Sequence, residues 1–546
     1  MKRFWQLNAQ IKDETGFILP TILSFIIAAV ILAAAVVEVI DSNLTTVNNN
    51  IQRQQAFNIA EAGINYYLWH LSHNATDFKD GKTTPTTPDP NLGYGPYVHN
   101  YVDSNSVNEG TFTLWIKPQG NGSTIATVRS IGKVKGTNSI RTIDAQIGAP
   151  SFASYALAGD SALWFGPDET AAGPVHSNQG IRLDGPNTDD VTSANATYTP
   201  STQVGGDGNS HPGVWCSPTV TTPVNCNTRS KAAWHYPVPT IDFNQVSTSL
   251  CSIKKTAFAA YSTTASLANQ ANACSQTPNT LTPYYLPQRS TNGNFSISKG
   301  YLIQLNANGT YDLFNVNAEN DTAATYLSAL SVPAGNCTTP AWAACGVALP
   351  NAGVIFAEDN VWVRTNPKYH GRVTIAAGRL ATNNNANIVI ADDVVYSAKD
   401  GSDAIGLIAE GDVLVAPYAP PASGAFTFEI DGALLSENGN VEYPGTYRSD
   451  NQVCSYNNPH KTRGWVASNQ KLLFYGSVST RLTWTWNWQT NSCGDSVFDN
   501  TNGLYISGIE NTITQYDYNL LYAPPPSYPV TSGYNIISWR EVLTTP

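Results

Sequence analysis

The chain has 546 residues, of which 13% are charged, and a net charge of −11. That length can bury several cores, and the absence of any Lys/Arg patch argues against nucleic-acid binding. Asn, Thr, Ser, Gly and Tyr take the place of charge, which suits a secreted surface.

Lys2, Arg3 and Lys12 precede a charge-free run over residues 17–37, and Glu38 and Asp41 follow it. At about 1.5 Å per residue, a helix over this run spans a hydrocarbon core of about 30 Å. The flanking charges keep the N-terminus cytoplasmic and put the rest outside. An ordinary signal peptide, cut near Ala33-Ala34-Ala35, is the alternative. The pattern beyond the run argues against it. Ile40, Leu44, Val47 and Ile51 recur at spacings of three and four. "RQQAFNIAEAGINYYLWHL" then carries Ala56, Phe57, Ala60, Ile64, Leu68 and Leu71 on one stripe. No Pro or Gly interrupts residues 22–62, so one long helix is predicted, half lipid-soluble and half amphipathic.

Gly16-Phe17 before the apolar run, with "RQQAFNIAEAG" at residues 53–63, resembles the N-terminal region of type IV pilin-like proteins, specifically PilX-type minor pilins. The resemblance covers about residues 12–71. It implies a leader ending at Gly16, cleavage by a prepilin peptidase, and N-methylation of Phe17. It also implies other pilin subunits as partners through the helix. Major pilins of that kind carry Glu at the fifth mature position, where Thr21 stands here, after Pro20. Without that carboxylate the subunit fits poorly as a repeated component and better as a minor one. Pro20 is tolerated in the first helical turn. Ala28, Ala29, Ala33, Ala34 and Ala35 permit close helix approach once lipid is exchanged for protein neighbours.

Residues 75–110 read as a loop. Short strands follow at "TFTLWIK", "STIATVRSIGKV" and "SIRTIDAQIG", a small antiparallel sheet for the amphipathic half-helix. From Ser151, short apolar runs alternate with Gly, Asn and Asp turns, and residues 242–275 carry helical periodicity. A weak repeat places Val361, Val394, Val413 and Val441 after small and acidic residues. Its irregular spacing fits a β-solenoid with variable loops, with a β-sandwich as the alternative. The Pro run near the C-terminus reads as extended and surface-lying, and the last strand as docking back onto the body. The fold class is therefore α+β. The expected divisions are a leader at 1–16, a helix at 17–71, a head at 72–150, a β-rich ectodomain at 151–345 and a solenoid-like domain at 346–546.

Cys216, Cys226, Cys251, Cys274, Cys337, Cys345, Cys454 and Cys493 lie beyond the apolar run and fall in local pairs. Four disulfides in an oxidising compartment are expected, paired with their nearest neighbours, although spacing alone does not fix the pairing. No CxxC or HExxH occurs, so no metal or other cofactor is expected. Asp184, Asn187 and Asp189 group acceptor oxygens but lack the distal Glu of a calcium loop, so an Asx turn is the default. His176, Ser177 and Asn178 read as a hydrogen-bonded corner rather than a hydrolase triad. Asp392, Asp393, Asp400 and Asp403, with Lys368, His370 and Arg372, invite comparison with polysaccharide-cleaving sites, but acids are common in such turns, and no enzyme is expected. "RLTWTWNWQ" places Trp484, Trp486 and Trp488 on one strand face, either as core or as a sugar-stacking platform. The expected role is structural and adhesive. The protein would be anchored once in the bacterial cytoplasmic membrane, then displayed on the cell surface in a fibre, with a surface or host glycan as a partner. A membrane-anchored surface protein that never enters a filament is the alternative.

Overall fold

The computed structural model describes residues 18–74, 77–84, 86–118, 125–217, 233–259, 273–279, 281–289, 300–317, 319–321, 328–330, 337, 342–382, 384–421, 424–444, 464–490, 497–499, 504–531 and 533–542. A long N-terminal apolar helix leads into a large, mainly β body. Helix α1 (Ile18–His73) runs unbroken for 56 residues. Its second half lies on an antiparallel sheet of β1 (Tyr94–Val102), β2 (Asn108–Pro118), β3 (Ile125–Val134) and β4 (Ile140–Gly148). Alternation in β2 puts Phe112, Leu114 and Ile116 on the buried face.

The fifth strand of this sheet is the C-terminal segment Asn535–Val542, antiparallel to β4. The sequence division gave those residues to the solenoid-like domain. They belong to the head, because β4 leaves an open edge that the returning chain fills.

Beyond residue 150 most strands stack in parallel ladders, a pairing that an antiparallel sandwich does not have, while pairs such as Gly300–Asn306 with Thr310–Val316 are antiparallel. The first ladder runs through Tyr285–Leu286, Val354–Ala357, Arg372–Ala377, Ala404–Ala409, Phe426–Ser436 and Gln470–Thr480. It continues without change of direction into Leu157–Gly159, Val175–Ser177, Val191–Ser193 and Trp234–His235. A second ladder pairs Gly300–Asn306, Asn360–Asn366, Ile388–Ile390, Val413–Val415, Val441–Glu442 and Trp484–Thr485. Leu163–Phe165, Ile181–Leu183 and Val214–Trp215 form a third, shorter set. Within the first ladder, Val354–Ala357 and Ala404–Ala409 are buried on both faces, as near-continuous apolar runs require.

The chain thus enters the stack in its middle, at Leu157, and proceeds to one end. It crosses back with helix α2 (Gln245–Ala259) and then walks from the far end to the middle again. Residues from Leu157 to Ile509 share one apolar core, so the expected division at residue 345 is not a break in packing. Val361, Val413 and Val441 occupy equivalent rungs, but Val394 does not; Ile388 holds that place. "NIVI" forms the rung, and the "ADD" that follows it is the turn.

The outer face of the first ladder is covered by α2 through Val246, Leu250, Ile253 and Ala257, and by Leu520 and Tyr528. Pro524, Pro525 and Pro526 are buried there rather than surface-lying. Arg372 donates to the carbonyls of Ala523 (2.7 Å) and Pro524 (2.6 Å), fixing the run against the ladder.

Candidate functional site

Helix α1 changes environment along its length. Residues 18–51 are exposed throughout, including Leu19 (82%) and Phe25 (76%), whereas Ala56, Ile59, Ala60, Ile64, Tyr67 and Leu71 are buried on the head. Each large apolar side chain left bare forgoes about 1.5–3 kcal/mol of burial. A surface of this size and composition calls for lipid or protein around it.

The "AEAG" segment has a direct geometric reading. A Cβ on Gly132 of β3 would overlap the Ala56 carbonyl and the Ala60 N–H, and a Cβ on Gly63 would overlap the Ser130 hydroxyl. Small residues at 56, 60 and 63 let the sheet backbone touch the helix. The end of α1 is then tied down by polar contacts. Tyr67 donates to the Asp77 carbonyl (2.9 Å), Tyr66 to the Asp80 carboxylate (3.1 Å), and His99 meets Asp80 at 2.8 Å. Burial, and then the Asp80 charge, push the Tyr66 hydroxyl up to about 12.

Gly16 and Phe17 lie outside the described residues. Thr21 directs its hydroxyl back to the Ile18 carbonyl at 2.8 Å. The three tryptophans do not share a strand face. Trp484 sits in the second ladder, Trp486 is a buried corner residue, and Trp488 lies in a separate antiparallel strand, Asn487–Thr490. Trp486 packs edge-on to Trp484 and against Phe474, so no flat platform exists. The single-strand expectation fails because the rung ends after Thr485.

Asp184, Asn187 and Asp189 do not converge. Asp184 is fully buried and accepts from Arg182 (2.7 Å), Trp164 (3.1 Å) and the Ser217 N–H (2.9 Å). Asn187 donates to the Asp189 carbonyl, while the Asp189 carboxylate takes Tyr518. His176 contacts Thr192 and Asn178, and Ser177 donates to the Ser161 carbonyl, a corner held by its own side chains. Asp403 accepts the N–H groups of Gly371 and Ala398 and faces His370. Asp393 caps the Glu429 N–H, and Asp400 caps Ser402. Cys251 bonds to Cys274 with Cα atoms 5.2 Å apart, and Cys337 to Cys345 at 5.8 Å. Cys216 is disulfide-bonded as well; Cys226, Cys454 and Cys493 lie outside the described residues.

No protein-family model matches the chain, and no curated protein matches it. Among solved structures it is similar to the competence-associated pilin ComZ from Thermus thermophilus. The two share 13% identity over 90% of this chain and 98% of that one, with a TM-score of 0.25. The overlap is weak, and the functional reading below rests on this chain's own residues.

A second feature was not foreseen from the sequence. In one register that also runs through Ala377, which Gly378 follows, Ala357, Ala409, Ser436, Thr480, Gly159 and Ser177 end strands of the first ladder. The residues that follow them form a polar file along the corner: Glu358, Glu410, Glu437, Arg481, Asp160 and Asn178. The crossing segment pairs with this file as it passes. Ile241 meets Asn178, Asn244 meets Arg481, Ser247 meets Glu437, and Lys254 forms a buried ion pair with Glu358. Burial raises the carboxyls of Glu358, Glu410 and Glu437 above their ordinary range. The acidic repeat in the sequence was the available signal; its partner, a helix more than a hundred residues upstream of most of it, was not.

Proposed function

We propose that this chain is a pilin-like subunit of a type IV pilus-like bacterial surface fibre, and a minor one. The observation that carries the reading is the continuity of α1, whose bare apolar half runs without a break into a half locked on a β head. Before assembly the bare half lies in the cytoplasmic membrane with its N-terminus inside. After a prepilin peptidase cuts behind Gly16, it packs among the helices of neighbouring subunits. Thr21 supplies no carboxylate for a neighbour's N-terminal amine, which in a low-dielectric core favours a minor or terminal position over repetition along the shaft.

The parallel ladders are read as a β-solenoid entered from its middle, so that the fibre displays a rigid ectodomain suited to adhesion. No catalytic role is proposed: the acids of the Asp392–Asp403 region already serve backbone N–H groups and ion pairs.

The test is a Gly16→Ala substitution in cells that make the fibre, followed by shearing and fractionation. The expected result is a chain heavier by the uncut leader, retained in the membrane and lost from the sheared fraction. An unchanged mass with unchanged surface display would instead favour a plain membrane-anchored protein.

A further inference from the structure

We infer that a cleft at the seam of the ladders binds a neutral saccharide unit. The cleft has a volume of about 400 Å³ and is built by three separate stretches of chain: Asp160, Asn178 and Gln179 from the first pass, Arg481 from the last, and Asp242 and Asn244 from the crossing segment. Its walls are mostly hydrogen-bonding residues, with Ile241 and Phe243 adding apolar surface, unlike the mainly apolar lining of most small-molecule pockets.

The decisive feature is a carboxylate and a guanidinium that both line this cleft without pairing with each other. Asp160 gives its Oδ1 to Asn178 at 2.6 Å, and no described residue takes its Oδ2. Arg481 spends Nε on the Glu437 carbonyl (2.7 Å) and Nη2 on Asn244 (3.0 Å), and no described residue takes its Nη1. The bonds these two side chains make lead to Asn178, Glu437 and Asn244 and not to each other. Both are held in place by their other contacts. Asn178 is itself locked, donating to the Ile241 carbonyl (2.7 Å) and accepting the Ile241 N–H (2.8 Å).

A fixed carboxylate oxygen and a fixed guanidinium N–H across one cleft suit adjacent hydroxyls, which donate to one and accept from the other. Gln179, exposed at the rim, adds an amide that can do either. An anion would meet Asp160 and Asp242, and a cation would meet Arg481, so a neutral polyol fits best. The inference deepens the proposed adhesive role by naming a ligand class, and it is read on the purified chain, independently of whether fibres form.

The experiment uses the full-length protein in a detergent without a sugar head group. Saturation-transfer difference NMR is run with glucose, galactose, mannose, N-acetylglucosamine, lactose and cellobiose, and with sulfate and galacturonate as anionic probes; Ca²⁺ binding is followed by calorimetry. At least one neutral sugar is expected to bind. Asp160→Asn keeps an oxygen for Asn178, and it and Arg481→Gln should each weaken binding about tenfold or more. Gln179→Ala, which removes no internal bond, should weaken it less. Circular dichroism and the thermal midpoint are expected to stay unchanged in Asp160→Asn and Gln179→Ala, which decide the matter if Arg481→Gln misfolds. Binding of no neutral sugar, sugar binding untouched by Asp160→Asn, or binding of only the anions or only Ca²⁺ would each overturn the proposal.

Discussion

Val478 is the register partner of Leu157 in a parallel strand pair, joining the last pass of the chain to the first. Both side chains are buried, in the same core. The strand carrying Val478 gives its earlier half, Lys471–Gly476, to Asn511–Tyr516 and only its end to Leu157–Gly159. The backbone pairing between the two arms of the ectodomain is therefore a three-residue seam, set within the core they share. Leu157→Ala should cost about 2–5 kcal/mol of stability, as large-to-small core changes do. Denaturant unfolding of the variant checks this; a cost below about 1 kcal/mol would mean the arms do not support each other.

Gly476 lies opposite Gly432 in the strand pair on the other side of that strand, and its φ of 154° sits in the region that favours glycine. A Cβ there would overlap the Gly432 carbonyl. Gly476→Ala is expected to lower the thermal midpoint markedly. Gly424→Ala, also at positive φ but in open space, should pay only backbone strain, about 1–3 kcal/mol.

Lys254 and Glu358 are both nearly fully buried and pair where α2 crosses the corner file. Lys254→Met strands a buried carboxylate and should destabilise by about 3–5 kcal/mol. Adding Glu358→Gln should recover much of that loss, because no charge is then left unpaired. A double-mutant cycle in denaturant measures the coupling, and strictly additive losses would exclude the pair as a unit.

Burial, and then the nearby Asp412 charge, raise the Glu442 carboxyl to about 8, and one of its oxygens is buried without a hydrogen-bond partner. Burial also lifts Asp431 to about 6, against the pull of Lys399 and the Tyr396 N–H. Groups whose folded pKa is raised bind their proton more tightly when folded. Their stabilising contribution is full below the ordinary carboxylate range and is lost as pH rises through about 6 for Asp431 and about 8 for Glu442. Thermal midpoints should therefore fall across that window. Glu442→Gln should flatten the fall, with its advantage growing toward pH 8; an advantage that is the same at pH 5 and pH 8 would contradict the burial account.

At the head, Gly132→Val would drive a side chain into the backbone at Ala56 and Ala60. The expected outcome is a helix lifted from its sheet and a chain that proteases cut between head and helix. The ectodomain ladders, which do not touch Gly132, should keep their β circular dichroism.

The N-terminal half of this architecture is legible because it is local. Spacings of three and four from Ile40 to Leu71 set the helix, and alternation sets β2, β3 and β4 of the head sheet, whereas β1 falls in the stretch 75–110 that reads as a loop. The ladders are legible in part, since Val361, Val413 and Val441 mark true rungs. The misassigned Val394 shows the limit: a turn acid followed by Val looks the same whether or not a rung follows. What the sequence hides is long-range order. Nothing near Leu157 announces Val478, and nothing near Asn535 announces β4, because pairing across hundreds of residues leaves no local period. The tryptophans mislead for a related reason, as strand alternation was carried past a corner at Trp486. The cleft at Asp160 and Arg481 was invisible because its walls come from three distant stretches.

The proposed function requires that the bare half of α1 survive maturation and be buried among other subunits. Intact-mass and N-terminal analysis of the chain recovered from sheared surface fibres tests it most directly. The expected result is a protein that begins with N-methylated Phe17 and is present in the fibre fraction; a mature chain beginning near Val36, or one absent from fibres, would rule the proposed function out.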